Sequence, residues 1–139
     1  MSSKLIEMLK KHEGVEKFCY KDHLGYETIG VGRNISKNGL GLSGDEIDYL
    51  LQNDIARVSH ELSKEYSWFD DLDEVRKEAL IDISFNLGQT RLRAFSNALK
   101  AMESKDYEEA ANQFMDSRWS GQVGNRAKEL TEMIRTGNY

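Results

Sequence analysis

The 139-residue chain has no proline and only one cysteine, Cys19. Without proline, the punctuation of its elements falls to glycine. A lone cysteine excludes an intrachain disulfide and points to synthesis in a reducing compartment. Cys19 lies in "FCYK", where alternation predicts a small, half-buried strand residue rather than a nucleophile. The three histidines, His12, His23 and His60, have no metal-ligand spacing, so no structural metal is expected. No apolar run approaches the about 18 residues needed to span a bilayer, which argues against stable membrane insertion. The start, "MSSKLIEMLKKHEG", is broken by charges and lacks the apolar stretch of a secretory signal. Internal repeats and low-complexity tracts are also missing.

What is present fits a single globular domain, 1–139, long enough to form two lobes. Hydrophobic residues make up 39% and charged residues 31%, enough for a moderate core under a polar surface. The net charge of −5 is unevenly spread: residues 43–74 carry ten acids against two bases, leaving the rest of the chain at +3. The overall sign disfavours nucleic acid as a partner. The basic C-terminal part, with Arg118, Arg126, Lys128 and Arg135, offers an anion-facing surface at most.

Periodicity sketches the elements. Leu5, Ile6, Met8 and Leu9 form a helical stripe that stops before Gly14. "KFCYKD" and "YETIGVG", with glycines at 25, 30 and 32, read as an antiparallel hairpin, with a third short strand near "NIS". Ser43 and Glu46 have capping-box spacing, and Ile47, Leu50, Leu51, Ile55, Val58 and Leu62 then mark a helix over about 44–63. "EYSWFDDLDE" reads as an irregular connection. The segment 73–87 is apolar on several faces, the mark of a central buried helix, so Asp82 within it must be paired or at an edge. Shorter helices are predicted over about 91–103, 107–116 and 125–135, with Asp106 and Glu109 again at capping spacing. The fold class is therefore α+β, mainly α.

One short run carries possible chemistry: "HEGVEKFCYKDHLGYETIGVGR", residues 12–33. Glycosidic hydrolysis needs one protonated carboxyl, to protonate the leaving oxygen, and one ionised carboxylate, to activate water or attack the sugar. Glu13 sits at a helix C-terminus, where the dipole disfavours its charged form. Asp22 lies in the polar turn "KDHLG", where an ionised carboxylate is comfortable, and Thr28 on the returning strand could hold a water. By spacing alone these remain equally a helix-end charge, a turn residue and a β-former.

The pattern E-G-x5-Y-x-D-x2-G-x2-T-I-G-x-G, from Glu13 to Gly32, resembles the catalytic motif of phage-type lysozymes, glycoside hydrolase family 24. "LDEVRKEALIDISFNLGQT", "AFSNALKAM", "EEAANQF", "SRWSGQVGNRAKEL" and "RTGNY" follow in that family's order, so the resemblance covers nearly the whole chain. It implies a lysozyme-like fold with two lobes around a cleft. The small β-containing lobe would span about 14–43 and the connecting helix about 44–63. Residues 64–139, with the N-terminal helix, would form the larger helical lobe.

The resemblance assigns Glu13 as general acid, Asp22 as the water-activating carboxylate and Thr28 as a holder of that water. It implies inversion at the sugar carbon, with carboxyls roughly 6.5–9.5 Å apart. Asn34, Phe85, Ala98 and Gln113 fall in register with cleft contacts: Asn34 and Gln113 as hydrogen-bonding groups, Phe85 as lining, Ala98 as packing only. Arg126, in "NRA", matches an arginine near the catalytic glutamate and is expected to orient Glu13 or bind substrate. A close cation favours the ionised acid, so apolar burial would have to keep Glu13 protonated. Trp119 matches an R-W pair and is expected in the core.

The implied activity is an endolysin: a muramidase cutting the β-1,4 bond between N-acetylmuramic acid and N-acetylglucosamine in peptidoglycan, without a cofactor. The expected protein is monomeric and accumulates in the host cytoplasm until a holin-type pore opens. The alternatives are a lytic transglycosylase, which needs no water-activating aspartate, and a non-catalytic peptidoglycan-binding module. Several positions depart from the family. Arg33 stands where histidine is familiar, His12 where an acid is, and Asp82 where a neutral polar residue is. The connector 33–43 is short, and the chain ends early.

Overall fold

The computed structural model describes residues 2–139. Eight α-helices, one 3-10 turn and a three-stranded antiparallel sheet account for its regular structure, an α+β fold that is mainly α. Its contacts divide the chain into two compact units within α2, between Leu51 and Gln52.

The first unit begins with α1 (Ser3–Glu13), capped by the Ser2 hydroxyl, which accepts from the Leu5 N–H. Gly14 ends it at φ 81°, a left-handed value that glycine reaches without a Cβ penalty. Strands β1 (Glu16–Lys21), β2 (Glu27–Gly30) and β3 (Arg33–Asn34) follow in the order β1-β2-β3. Tyr20 pairs with Thr28 and Thr28 with Asn34, so β2 is central. The β1 register shifts between Glu16 and Tyr20. Cys19, expected to be half-buried, is exposed. Alternation places a side chain on one face of a sheet, but nothing in this unit buries the outer strand. Phe18 beside it is 81% exposed.

Helix α2 (Gly44–Glu65) starts with a closed capping box. The Glu46 N–H donates to Ser43 Oγ at 3.2 Å and the Ser43 N–H to Glu46 Oε1 at 2.8 Å. Arg33 adds a second bond to that carboxylate at 2.8 Å and also donates to the Gly41 carbonyl, tying β3 to the helix start. Arg33, followed by the two Ser43 bonds, holds the Glu46 carboxyl down at about 2. Because that value lies below the usual glutamate range, the stabilisation is complete above that range and is lost as pH falls through about 2. Arg33→Ala should bring the Glu46 titration, followed by side-chain carboxyl NMR, part of the way back toward the usual range, with the Ser43 bonds holding the rest. An unmoved midpoint would show that Ser43 alone sets it.

The second unit holds the core. Its helices are α3 (Glu74–Leu87), α4 (Gln89–Arg93), α5 (Ser96–Glu103), α6 (Tyr107–Met115), α7 (Arg118–Val123) and α8 (Asn125–Thr136). Helix α8 packs on α3 and α6, and α5 on α6. Leu62, Phe69, Leu80, Ile83, Leu92, Met102, Phe114 and Ile134 are fully buried. The predicted central stripe of 73–87 is the buried face of α3: Ala79, Leu80, Ile83 and Leu87. Asp73 caps that helix, accepting from the Arg76 N–H. Arg76 then reaches the end of α8, donating to the carbonyls of Ile134 and Arg135 while lying 3.7 Å over the Tyr107 ring.

Three local expectations differ. The helix expected over 91–103 is two helices, because the chain turns at Phe95 (φ −84°, ψ 49°) to place its ring 5.3 Å from Phe114 and 6.4 Å from Trp119. Helix α7, not anticipated, forms around buried Trp119 despite Gly121. Asp106 caps α6, but the box is half made: its own N–H is taken by the Ala101 carbonyl, and Glu109 accepts from Gln113 instead.

Candidate functional site

The carboxylate of Asp22 is built into the hairpin turn. The N–H groups of Leu24 and Tyr26 both donate to its Oδ1 at 2.9 Å. Its backbone N–H donates to the Tyr26 carbonyl, and Gly25, at φ 85°, donates to the Asp22 carbonyl. Four hydrogen bonds thus fix one aspartate, an Asx-type turn that its short side chain permits.

Thr28 is the one buried residue of the first unit among those described, at 3% exposure. A buried hydroxyl must be hydrogen-bonded. Thr28 Oγ1 donates at 2.9 Å to the same Tyr26 carbonyl that accepts from the Asp22 N–H. Asp22 and Thr28 therefore hang on one peptide unit, the backbone of Tyr26. With its proton spent there, the Thr28 hydroxyl offers only lone pairs to any further partner.

Glu13 ends α1, and its side chain lies over Gly32 in the β2–β3 turn. A Cβ on Gly32 would sit 2.6 Å from Glu13 Oε2, and Gly32 has φ +65°. The last glycine of the T-I-G-x-G run is thus favoured by its left-handed backbone, and any side chain there would displace the flexible Glu13 carboxylate. Gly32→Ala should cost about 1–2 kcal/mol through its left-handed backbone. It should also push the Glu13 carboxylate aside, and under the general-acid role proposed below a misplacement on the order of 1 Å costs roughly 100-fold in rate. Thermal melting and kcat measure the two effects separately, and an unchanged kcat would refute the second.

The other candidates sit apart from this trio in their bonding. Asn34, on β3, spends Oδ1 on the Ser36 N–H and hydroxyl, and its carbonyl accepts from Leu40 and Gly41. Only its amide nitrogen is left to meet a ligand. Phe85 is 45% exposed on α3 and lines a pocket of about 470 Å³ with Arg57, Glu61 and Gln89. Ala98 is buried and Gln113 half-buried, and both line a pocket of about 290 Å³. A pocket of about 770 Å³ lined by Ile29, Ile35, Leu42, Ile47 and Leu50, with Asp45 and Glu46, contains none of the candidates and is mainly apolar.

Arg126 is clamped by Asp82. Its Nε and Nη2 donate to Asp82 Oδ1 at 2.8 and 2.6 Å, and Nη2 reaches the Asp82 carbonyl at 3.3 Å. Asp82 is thus paired, one of the two outcomes its place in the helix allowed. Trp119 is in the core, its indole N–H donating to Asn86 Oδ1 at 2.9 Å. Asn86 lies one turn beyond Asp82, and both hold a partner far along the chain. The sequence signal for Asn86 is a polar side chain in an otherwise apolar segment. The role of the Tyr26 backbone has no sequence signal at all. Among the described residues no group of three or more His, Cys, Asp or Glu is placed to hold a metal ion.

The description "phage lysozyme" belongs to the family model that matches residues 10–135, a span that includes Glu13, Asp22, Thr28 and Arg126. The chain belongs to the phage lysozyme family. It is 31% identical over 164 residues to the probable T4-type lysozyme 2 of Dictyostelium discoideum and 29% identical to that organism's probable T4-type lysozyme 1. Both alignments cover 99% of this chain and 96% of the relative. It is also 30% identical over 121 residues to the endolysin of Salmonella phage P22, covering 83% of this chain and 81% of that one. This phage lysozyme family member is accordingly a peptidoglycan-hydrolysing glycosidase of the lysozyme type. No helix among its described residues is long and apolar enough to cross a membrane.

Proposed function

We propose that this lysozyme is an inverting muramidase, cutting the β-1,4 bond between N-acetylmuramic acid and N-acetylglucosamine. Glu13 is its general acid, Asp22 its general base and Thr28 its water holder. The observation that carries this reading is the shared anchorage of Asp22 and Thr28 on Tyr26. Both groups face a water only as acceptors. A water bridging Asp22 and Thr28 donates both its hydrogens to them, which leaves an oxygen lone pair free for the anomeric carbon.

Glu13 gives its proton to the glycosidic oxygen as the C–O bond breaks, and the leaving sugar departs as an alcohol. The water oxygen bonds to the anomeric carbon from the opposite face, and its proton passes to Asp22. Asn34, Phe85, Ala98 and Gln113 contact the glycan, and Arg126, oriented by Asp82, binds substrate or steers Glu13. In the host, the enzyme waits as a monomer in the cytoplasm until a holin-type pore admits it to the wall, and lysis follows.

Digestion of purified peptidoglycan, with mass spectrometry of the ends and proton NMR of the fresh anomer, tests this. Reducing muramic ends that appear first as the α-anomer are expected. Anhydro ends would identify a lytic transglycosylase, an initial β-anomer would replace inversion by retention, and binding without new ends would leave only a binding module.

A further inference from the structure

The pocket of about 290 Å³ between α5 and α6 has an unusual polar inventory. It is lined by Phe95, Asn97, Ala98, Gln113, Asp116 and Ser117, with Ala94 and Ser96 at its edge. Ser117 is already engaged: its hydroxyl donates to the Phe114 carbonyl and accepts from the Ser120 N–H. Gln113 has spent an amide hydrogen on Glu109 at 2.7 Å, and its Oε1 is free. Asp116, just past the end of α6, is exposed, and among the described residues its carboxylate forms no hydrogen bond or ion pair. No lysine or arginine lines the pocket.

What remains for a ligand is the Asp116 carboxylate, the Gln113 amide oxygen and its second amide hydrogen, the Asn97 amide and the Ser96 hydroxyl, beside apolar Phe95 and Ala98. A carboxylate ligand would meet the like charge of Asp116 with no lysine or arginine lining the pocket to offset it. An ammonium group carries the opposite charge and three donors, which the Asp116 carboxylate and the amide oxygens of Gln113 and Asn97 can accept. The volume suits a side-chain-sized group rather than a disaccharide. The apolar side suits an aliphatic arm.

Resting on the muramidase reading above, we propose that Asp116 is a specificity residue and that this pocket receives a primary ammonium group carried by the peptidoglycan strand. Two parts of the wall present that chemistry: the side-chain amine of a diamino acid in the stem peptide, and a hexosamine that has lost its acetyl group. Asp116 acts on binding, with the acid and base chemistry left to the hairpin.

The test compares peptidoglycan with free amines against the same material N-acetylated with acetic anhydride, for wild type, Asp116→Asn and Asp116→Glu. Wild-type KM should rise about fivefold on acetylation, the upper end of what a solvent-exposed ion pair supplies. Asp116→Asn should show the raised KM on both substrates with kcat unchanged, and Asp116→Glu should recover most of the preference. The preference should shrink in 0.5 M salt, roughly three times the physiological level. On glycan strands stripped of peptide by an amidase, a lost preference places the amine on the stem peptide, and a retained one places it on the sugar. Equal wild-type KM on free and acetylated material overturns this proposal alone. Absence of new ends on every substrate overturns the muramidase reading and this one with it.

Discussion

Glu13→Gln is expected to remove turnover, by about 1,000-fold or more, while leaving the fold in place. The amide has nearly the same shape, so it still lies over Gly32 at the end of α1. It cannot give a proton to the glycosidic oxygen, and loss of a general acid costs roughly 10²–10⁴ in rate. Circular dichroism and melting should match wild type, and binding of a short glycan should persist. That combination isolates proton donation from substrate binding. Undiminished activity in a properly folded Glu13→Gln protein would sink the assignment of the acid and, with it, the mechanism proposed for this site.

Asp22 has an observed place in the turn and a proposed one in the reaction, and two substitutions divide them. Asp22→Asn keeps Oδ1 as an acceptor for the Leu24 and Tyr26 N–H groups, so the turn should survive. It loses the charge that takes the proton from water, and kcat should fall by roughly 10³–10⁴-fold. Asp22→Ala loses the charge and both acceptor contacts. The freed N–H groups are exposed, so water partly replaces the carboxylate, and the added cost is about 1 kcal/mol. Amide exchange at Leu24 and Tyr26 should therefore speed up in the alanine variant and stay slow in the asparagine variant. Asp22→Asn activity within tenfold of wild type would show that Asp22 is a turn residue whose carboxylate takes no part in the reaction.

Within the helical unit the Arg126 guanidinium shares two bonds with one Asp82 carboxylate oxygen. Asp82 stands where the resemblance expects a neutral polar residue. The departure therefore falls on the partner of the arginine and leaves the Glu–Asp–Thr trio unchanged.

The sequence by itself determined what depends on neighbours along the chain. Gly14 ends α1, Gly25 closes the turn, and Ser43 with Glu46 starts α2, because caps and turns are satisfied by atoms within four residues. Glu13, Asp22 and Thr28 could be proposed together for the same reason: one helix end and one hairpin put them in a single short run. The buried stripe of α3 followed from periodicity. Tertiary structure decided what depends on partners far along the chain. The break at Phe95 and the short helix around Trp119 exist because three aromatic rings must meet, and burial of rings outweighs local helix propensity. The exposure of Cys19 was undecidable from alternation, which names a face of a strand but not what covers it. The pairing of Asp82 with Arg126, and the gathering of Asn97, Gln113 and Asp116 around one pocket, join side chains from different helices. Such pairings are set by how helices pack, and no local pattern encodes them.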